Sequence, residues 1–255
     1  MTAAADLQAA IRNPKRGATA VMPYLTAGFP SRTGFGELLA GVSEYADAIE
    51  LGVPFSDPMA DGVTIQDASR DALADGVSLR WIFEMLAEEE ERTAPIVLMS
   101  YLNPLLAYGL HKLVLDAGDV GVHGFIVPDL PYEECEEFRQ LCDAQGLALI
   151  QLVTPLTPPE RLRRLCRASS GFVYAVTMTG TTGGDASVGD IGDYLARVAK
   201  AGDLPVCAGF GIRNAADVAA LEGKADGAIV GSALIRALQA GESGAEFVAG
   251  LVVGD

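Results

Sequence analysis

Eight short runs of almost unbroken apolar residues, each followed by a helix-length amphipathic stretch, constrain this chain more than any other feature. The runs are ATAVMPYLT (18–26), DAIELGV (47–53), PIVLMSY (95–101), GFIVPD (124–129), LALIQLV (147–153), GFVYAVT (171–177), PVCAGFG (205–211) and GAIVGS (227–232). Continuous apolar runs predict strands covered on both faces, as in a parallel sheet flanked by helices. The intervening segments carry helical spacing: SLRWIFEMLAEEEER (78–92) sets Leu79, Ile82, Phe83 and Leu86 on one face. Residues 34–45 do the same with Phe35, Leu38, Leu39 and Val42, and 131–146 opens on a proline and stops at Gly146. Eight strand-then-helix repeats in 255 residues fit a (β/α)8 TIM barrel better than an open doubly wound sheet. No G-x-G-x-x-G follows the first run, where a dinucleotide-binding sheet would place it. Extra helices are expected at 2–13, after strand 2 (62–74) and after strand 8 (232–240). No Ser/Pro-rich linker or change of composition divides the chain, so 1–255 is read as a single domain.

The formal charge of −16 disfavours nucleic acid and acidic membrane surfaces, which need a basic footprint. Cysteines 135, 142, 166 and 207 show no close metal spacing and read as small core residues in a reducing compartment. The N-terminus lacks a basic region followed by an apolar stretch, and no segment runs eighteen apolar residues without charge. A cytoplasmic protein is expected.

In such a barrel, ligands bind at the C-terminal ends of the strands, with phosphate often held after strands 7 and 8. Here those ends carry glycines: Gly209 and Gly211 in AGFGIRNA, then Gly231 and Ser232 before a helix-forming run. The segment TMTGTTGGDASVGD (177–190) adds Gly183 and Gly184 to the same face. A single glycine pair is usually only a tight turn. Three on adjacent strands favour an anion held by backbone N–H groups and a helix N-terminus, with no lysine required.

Glu50 ends the second run, and strand alternation points it into the barrel if Ala48 points there. An apolar interior would raise its pKa into the range useful for proton transfer near neutrality. On the residues alone, Asp61 in the following loop reads as a helix N-cap and Asp57 in FSDP as a turn former, ahead of any catalytic role. Imine chemistry needs a lysine at a strand end, but Lys15, Lys112 and Lys200 lie in or beside helices and Lys224 precedes strand 8. His111 falls in a helix and His123 at the entrance to strand 4, so neither a histidine metal site nor a Ser-His triad is expected. What remains is metal-free acid–base chemistry by carboxylates on a small phosphorylated substrate.

ELGVPFSDPMADGVTIQ (50–66), PYLTAGFP (23–30), MSYLNPLLAYG (99–109), VPDLPYEE (127–134), GFGI (209–212) and GSALI (231–235) closely resemble the α-subunit family of tryptophan synthase. The resemblance spans nearly the whole chain, and a strand-ending Glu, a P-F-S-D-P turn and an A-D-G loop rarely coincide by chance. It implies retro-aldol cleavage of indole-3-glycerol phosphate to indole and glyceraldehyde 3-phosphate. Glu50 would then shuttle protons and Asp61 would bond the indole N–H. Tyr24, Met99 and Ile126 would line the indole pocket, with Tyr174 and Thr182 also in the active site. Gly183, Gly211, Gly231 and Ser232 would hold the phosphate under a closing loop 6. Asp57, Pro58, Asn103 and Pro104 match loops facing a β subunit, expected in an α2β2 assembly. That partner carries pyridoxal phosphate, so the chain itself is expected to need no cofactor. Two departures stand out: Val63 where the family usually writes proline, and Met178 in a variant lid sequence. Other readings are a stand-alone indole-releasing lyase of the same fold and a barrel kept only as a regulatory partner; indole-3-glycerol-phosphate synthase would need a strand-end lysine.

Overall fold

Each of the eight apolar runs forms a strand, because side chains buried on both faces and β-branched residues at high density favour a doubly covered parallel ladder. The computed structural model describes residues 1–89, 91–177, 188–209 and 211–252. The strands are β1 (Ala20–Thr26), β2 (Ile49–Gly52), β3 (Ile96–Met99), β4 (Val122–Ile126), β5 (Ala148–Val153), β6 (Val173–Val176), β7 (Val206–Gly209) and β8 (Gly227–Val230). They pair in parallel in sequence order, and β8 returns to β1 to close the barrel.

Around them run α1 (Ala3–Arg12), α2 (Phe35–Ser43), α3 (Val63–Ala74), α4 (Leu79–Glu88), α5 (Leu102–Tyr108), α6 (Leu110–Asp119), α7 (Glu136–Gln145), α8 (Pro159–Ala168), α9 (Val188–Ala199), α10 (Ala215–Ala219), α11 (Ser232–Gln239) and α12 (Gly244–Ala249). The three extra helices expected from sequence are α1, α3 and α11. Helix α4 begins where its pattern begins, with the Ser78 hydroxyl accepting from the Trp81 amide at 3.3 Å.

Some boundaries differ from expectation. The segment 131–146 is not one helix: a 3-10 turn over Tyr132–Glu134 precedes α7. Strand β4 starts at Val122 rather than 124 and stops at Ile126, short of Pro128, which has no N–H for a ladder. His123 therefore lies inside β4, where the register against β3 shifts; its Nδ1 accepts from the Ile96 amide at 3.3 Å, replacing a ladder bond.

Register separates the faces. Leu25, Leu51, Leu98, Phe125 and Leu149 align across β1 to β5, and Phe125 packs on Phe138 of α7 with ring centroids 5.2 Å apart. That row faces the helices. The alternate rows, Tyr24–Glu50–Val97–Gly124 and Thr26–Gly52–Met99–Ile126, consequently face the barrel axis. The second row closes the core just beneath the mouth, where the strands end.

Helix α3 shows the consequence of Val63. Its side chain is 72% exposed at the first helical position, where the amide has no intrahelical acceptor. Gly62 before it is extended (φ −73°, ψ 163°), the conformation a residue preceding proline adopts. Val63→Pro is therefore expected to stabilise the chain by about 0.4–1 kcal/mol through the unfolded state. A denaturant midpoint that falls instead would show that this turn does not hold a proline geometry.

Candidate active site

Glu50 stands on the inward row one residue pair below the mouth and is only 3% exposed. Its Oε2 is buried and has no hydrogen-bond partner among the described residues. An unpartnered buried carboxyl oxygen is costly, and the group responds by holding its proton: burial, then the negative Asp61, pushes its pKa up to about 8. Its field reaches Tyr174 on β6 and Cys207 on β7, on the far side of the barrel from β2.

Asp61 comes to this carboxyl from the loop after β2. It does not cap α3, whose N-cap is Gly62 without a side-chain bond; the aspartate is buried at 6% exposure instead. Its backbone is pinned by the Gln66 side chain, whose Nε2 donates to its carbonyl at 2.8 Å. Burial raises the Asp61 pKa to about 6, while the Tyr101 hydroxyl beside it pulls the other way. The two carboxyls thus differ in protonation across neutral pH: Asp61 charged, Glu50 neutral.

Tyrosines complete the floor. The Tyr24 hydroxyl lies over Gly52 and the Tyr174 hydroxyl over Gly209, so that a methyl group at either glycine would run into the phenol oxygen. Thr26 Oγ1 donates to Tyr24 Oη at 3.5 Å. Burial, then Asp61, keeps Tyr24 protonated well above its ordinary range; burial, then Glu50, does so for Tyr174. Both are hydroxyl donors at neutral pH. Met99 and Ile126 sit side by side in the row above Glu50, buried and apolar.

At the same mouth, after β8, α11 begins at Ser232 with Gly231 as a cap that offers no side-chain bond. Its first-turn N–H groups are therefore available to an anion. A Cβ added to Gly231 would lie 3.5 Å from Tyr24 Cβ and 3.7 Å from Ile65 Cδ1, which sets this helix end beside the carboxyl pair's own strand neighbour. Gly211 has φ +94°, a left-handed conformation that glycine adopts without strain. Thr182, Gly183, Gly184 and Met178 lie outside the described residues.

None of the lysines reaches this mouth: Lys15 Nζ donates to the Ser43 carbonyl at 2.7 Å, Lys112 pairs with Asp116 on α6, Lys224 Nζ donates to the Ala220 carbonyl at 2.8 Å, and Lys200 follows α9. Among the described residues no group of three His, Cys, Asp or Glu side chains is placed to hold a metal ion.

The mouth thus carries a strand-ending glutamate, a buried loop aspartate and an open helix end, and residues 10–251 of the chain match a family model described as Tryptophan synthase alpha chain. The chain belongs to this family. The tryptophan synthase alpha chain of Nitratidesulfovibrio vulgaris (strain DP4) is 46% identical over 235 residues, covering 91% of each chain. Among solved structures, tryptophan synthase from M. tuberculosis in its aminoacrylate-bound form superposes with a TM-score of 0.87 at 32% identity, covering 99% of this chain and 98% of that one. The tryptophan synthase a2b2 complex from Pyrococcus furiosus gives 0.84 at 37% identity, covering 92% and 98%.

The residues the family resemblance assigns to a partner face lie on the loop after β2 and on the first turn of α5. Asp57 is exposed and accepts from Ser56 Oγ at 2.5 Å; Pro58 is half-buried and its carbonyl accepts from the Asp61 amide at 3.3 Å. Asn103 and Pro104 form the first turn of α5, exposed and half-buried. Sequence reasoning missed Tyr101, Gln66 and the Gly52 and Gly209 niches. The usable signal for the niches was a glycine on an inward position of a strand beside one bearing an inward tyrosine.

Proposed function

We propose that the chain cleaves indole-3-glycerol phosphate to indole and glyceraldehyde 3-phosphate by a retro-aldol reaction, making it a carbon–carbon lyase of tryptophan biosynthesis. The observation that carries this reading is the carboxyl pair, with Glu50 held neutral and Asp61 charged in the same buried mouth. Breaking the bond between indole C3 and the glycerol chain requires C3 to be protonated first, so that the ring can take the electron pair. Neutral Glu50 is the acid for that step. The resulting cation is delocalised onto the ring N–H, which donates to the Asp61 carboxylate; a fixed anion there stabilises charge as it develops. Glu50, now a carboxylate, accepts the proton of the glycerol hydroxyl. The carbon–carbon bond breaks, its electrons restore the aromatic indole, the aldehyde forms, and Glu50 is protonated again. No metal or cofactor takes part in these steps.

The phosphate is assigned to the N-terminus of α11 with Gly211, and with Gly183 of the segment at 177–190. Ser232→Asp is expected to raise the Kd for indole-3-glycerol phosphate about 10- to 30-fold by setting a like charge at that helix end. Titration with the ligand reads it, and an unchanged affinity would move the anion elsewhere.

We also infer that the mouth docks a β subunit carrying pyridoxal phosphate. Support comes from Met59 at 78% exposure and Leu156 at 79%, apolar side chains standing in solvent on the β2–α3 and β5–α8 loops, with Leu106 on α5 also exposed. All three follow the C-terminal ends of strands, the end of the barrel that carries the mouth. The deciding experiment incubates the purified chain with indole-3-glycerol phosphate, with and without a β subunit, and measures indole. Indole formation supports the lyase; none in either mixture overturns it, and full turnover without the partner would favour the stand-alone enzyme.

A further inference from the structure

Tyr101 is buried between three loops at the mouth, and its placement has no part in the reaction as derived above. We propose that Tyr101 is the positioning residue of Asp61, holding the loop after β2 and aiming the carboxylate into the site. The proposal rests on the lyase reading and goes further, since it assigns a role to a side chain that touches neither the indole C3 nor the phosphate end.

Its Oη accepts the amide of Ala60, the residue before Asp61, at 2.8 Å. Its ring stacks on Phe55 of the same loop, with centroids 5.3 Å apart and planes 28° apart. The next amide, of Leu102, donates to Asp129 Oδ1 at 2.8 Å, so the β4 loop caps α5 from outside and fixes the tyrosine's backbone. The phenol oxygen is occupied as an acceptor from Ala60. Its single proton is then free for an acceptor, and the Asp61 carboxyl, whose loop the Ala60 bond holds against the ring, is the one whose charged form the hydroxyl favours.

Burial drives Asp61 towards the neutral acid, and when it is charged its field is felt by Glu50 on β2, Tyr24 on β1 and Tyr174 on β6. A hydroxyl donated to the charged form opposes that drift. The tyrosine thus holds the loop through Ala60 and Phe55 and favours the charged carboxyl through its hydroxyl, while the Gln66 side chain holds only the Asp61 carbonyl.

The test compares Tyr101→Phe with 3,5-difluorotyrosine incorporated at position 101, which keeps the hydroxyl and makes it a stronger donor. Asp61 is titrated in the whole chain by 13C carboxyl shifts. Loss of the hydroxyl is expected to raise the Asp61 pKa by about one unit, a tenfold change in its ionisation constant, and the fluorinated ring to lower it. For cleavage, Tyr101→Phe is expected to reduce kcat about 10- to 30-fold with KM changed less than about threefold, as for a group acting on the transition state. Its thermal midpoint should stay close to that of the parent. An Asp61 titration that moves in neither variant overturns the positioning role, as does a kcat loss explained by unfolding. Should the chain cleave no indole-3-glycerol phosphate while the titration shifts as stated, the lyase reading falls and the positioning of Asp61 stands.

Discussion

Replacing Glu50 with glutamine is expected to reduce indole release about 10³-fold, the scale of a lost general acid, while making the protein more stable at neutral pH. The sign follows from linkage. In the unfolded chain the carboxyl ionises near its ordinary value of 4.5, but the folded protein holds the proton to about 8. Folding above pH 4.5 therefore takes up a proton, and that cost grows until the pH passes the folded value. Glutamine has no proton to take up. At pH 7 the variant should gain about 3 kcal/mol of unfolding free energy, and the gain should vanish as pH falls towards 4.5. Urea unfolding at pH 4.5, 6 and 7.5, beside single-turnover assays, measures both halves. A variant that is inactive and less stable at pH 7.5 would mean that Glu50 is not held neutral in the fold.

Asp61→Asn carries the second large effect. Cleavage as derived needs Asp61 charged and Glu50 protonated, so the rate should rise with a pKa of about 6 and fall with one of about 8. Asparagine removes the anion that faces the developing cation, and kcat is expected to drop about 10²- to 10³-fold. It also removes the negative charge that helps Glu50 keep its proton. The acidic limb should disappear from the residual activity and the alkaline limb should move to lower pH. An alkaline limb that stays in place would separate the two carboxyls electrostatically and count against their shared site.

Indifference of the rate to Glu50→Gln would instead favour a barrel retained as a partner protein. That reading and the lyase reading make opposite predictions for one substitution, which is why Glu50 is the first residue to change.

Much of the architecture was legible before any coordinates. The uninterrupted apolar runs could only be doubly covered strands, and eight of them alternating with amphipathic segments left few arrangements other than a closed barrel. Glu50 was legible too, because side-chain alternation along DAIELGV ties its direction to that of Ala48. Boundaries were less so: the polar turn of Tyr132–Glu134 is helical in composition, and a 3-10 turn and an α-helix draw on the same residues. His123 was placed at a strand entrance because a register shift between β3 and β4 leaves no mark in the spacing of apolar residues.

By itself the sequence determined the barrel, the inward glutamate and the glycine-rich ends of strands 7 and 8, all of which follow from local periodicity and the backbone freedom of glycine. Only the tertiary structure decided what Asp61 is. A loop aspartate before a glycine caps a helix or enters a site according to which neighbours surround it. Here Tyr101 and Phe55 close around that loop, and Gly62 takes the cap. Whether a carboxyl is neutral or charged is likewise a property of its surroundings, since desolvation and a second acid 11 positions along the chain act through space.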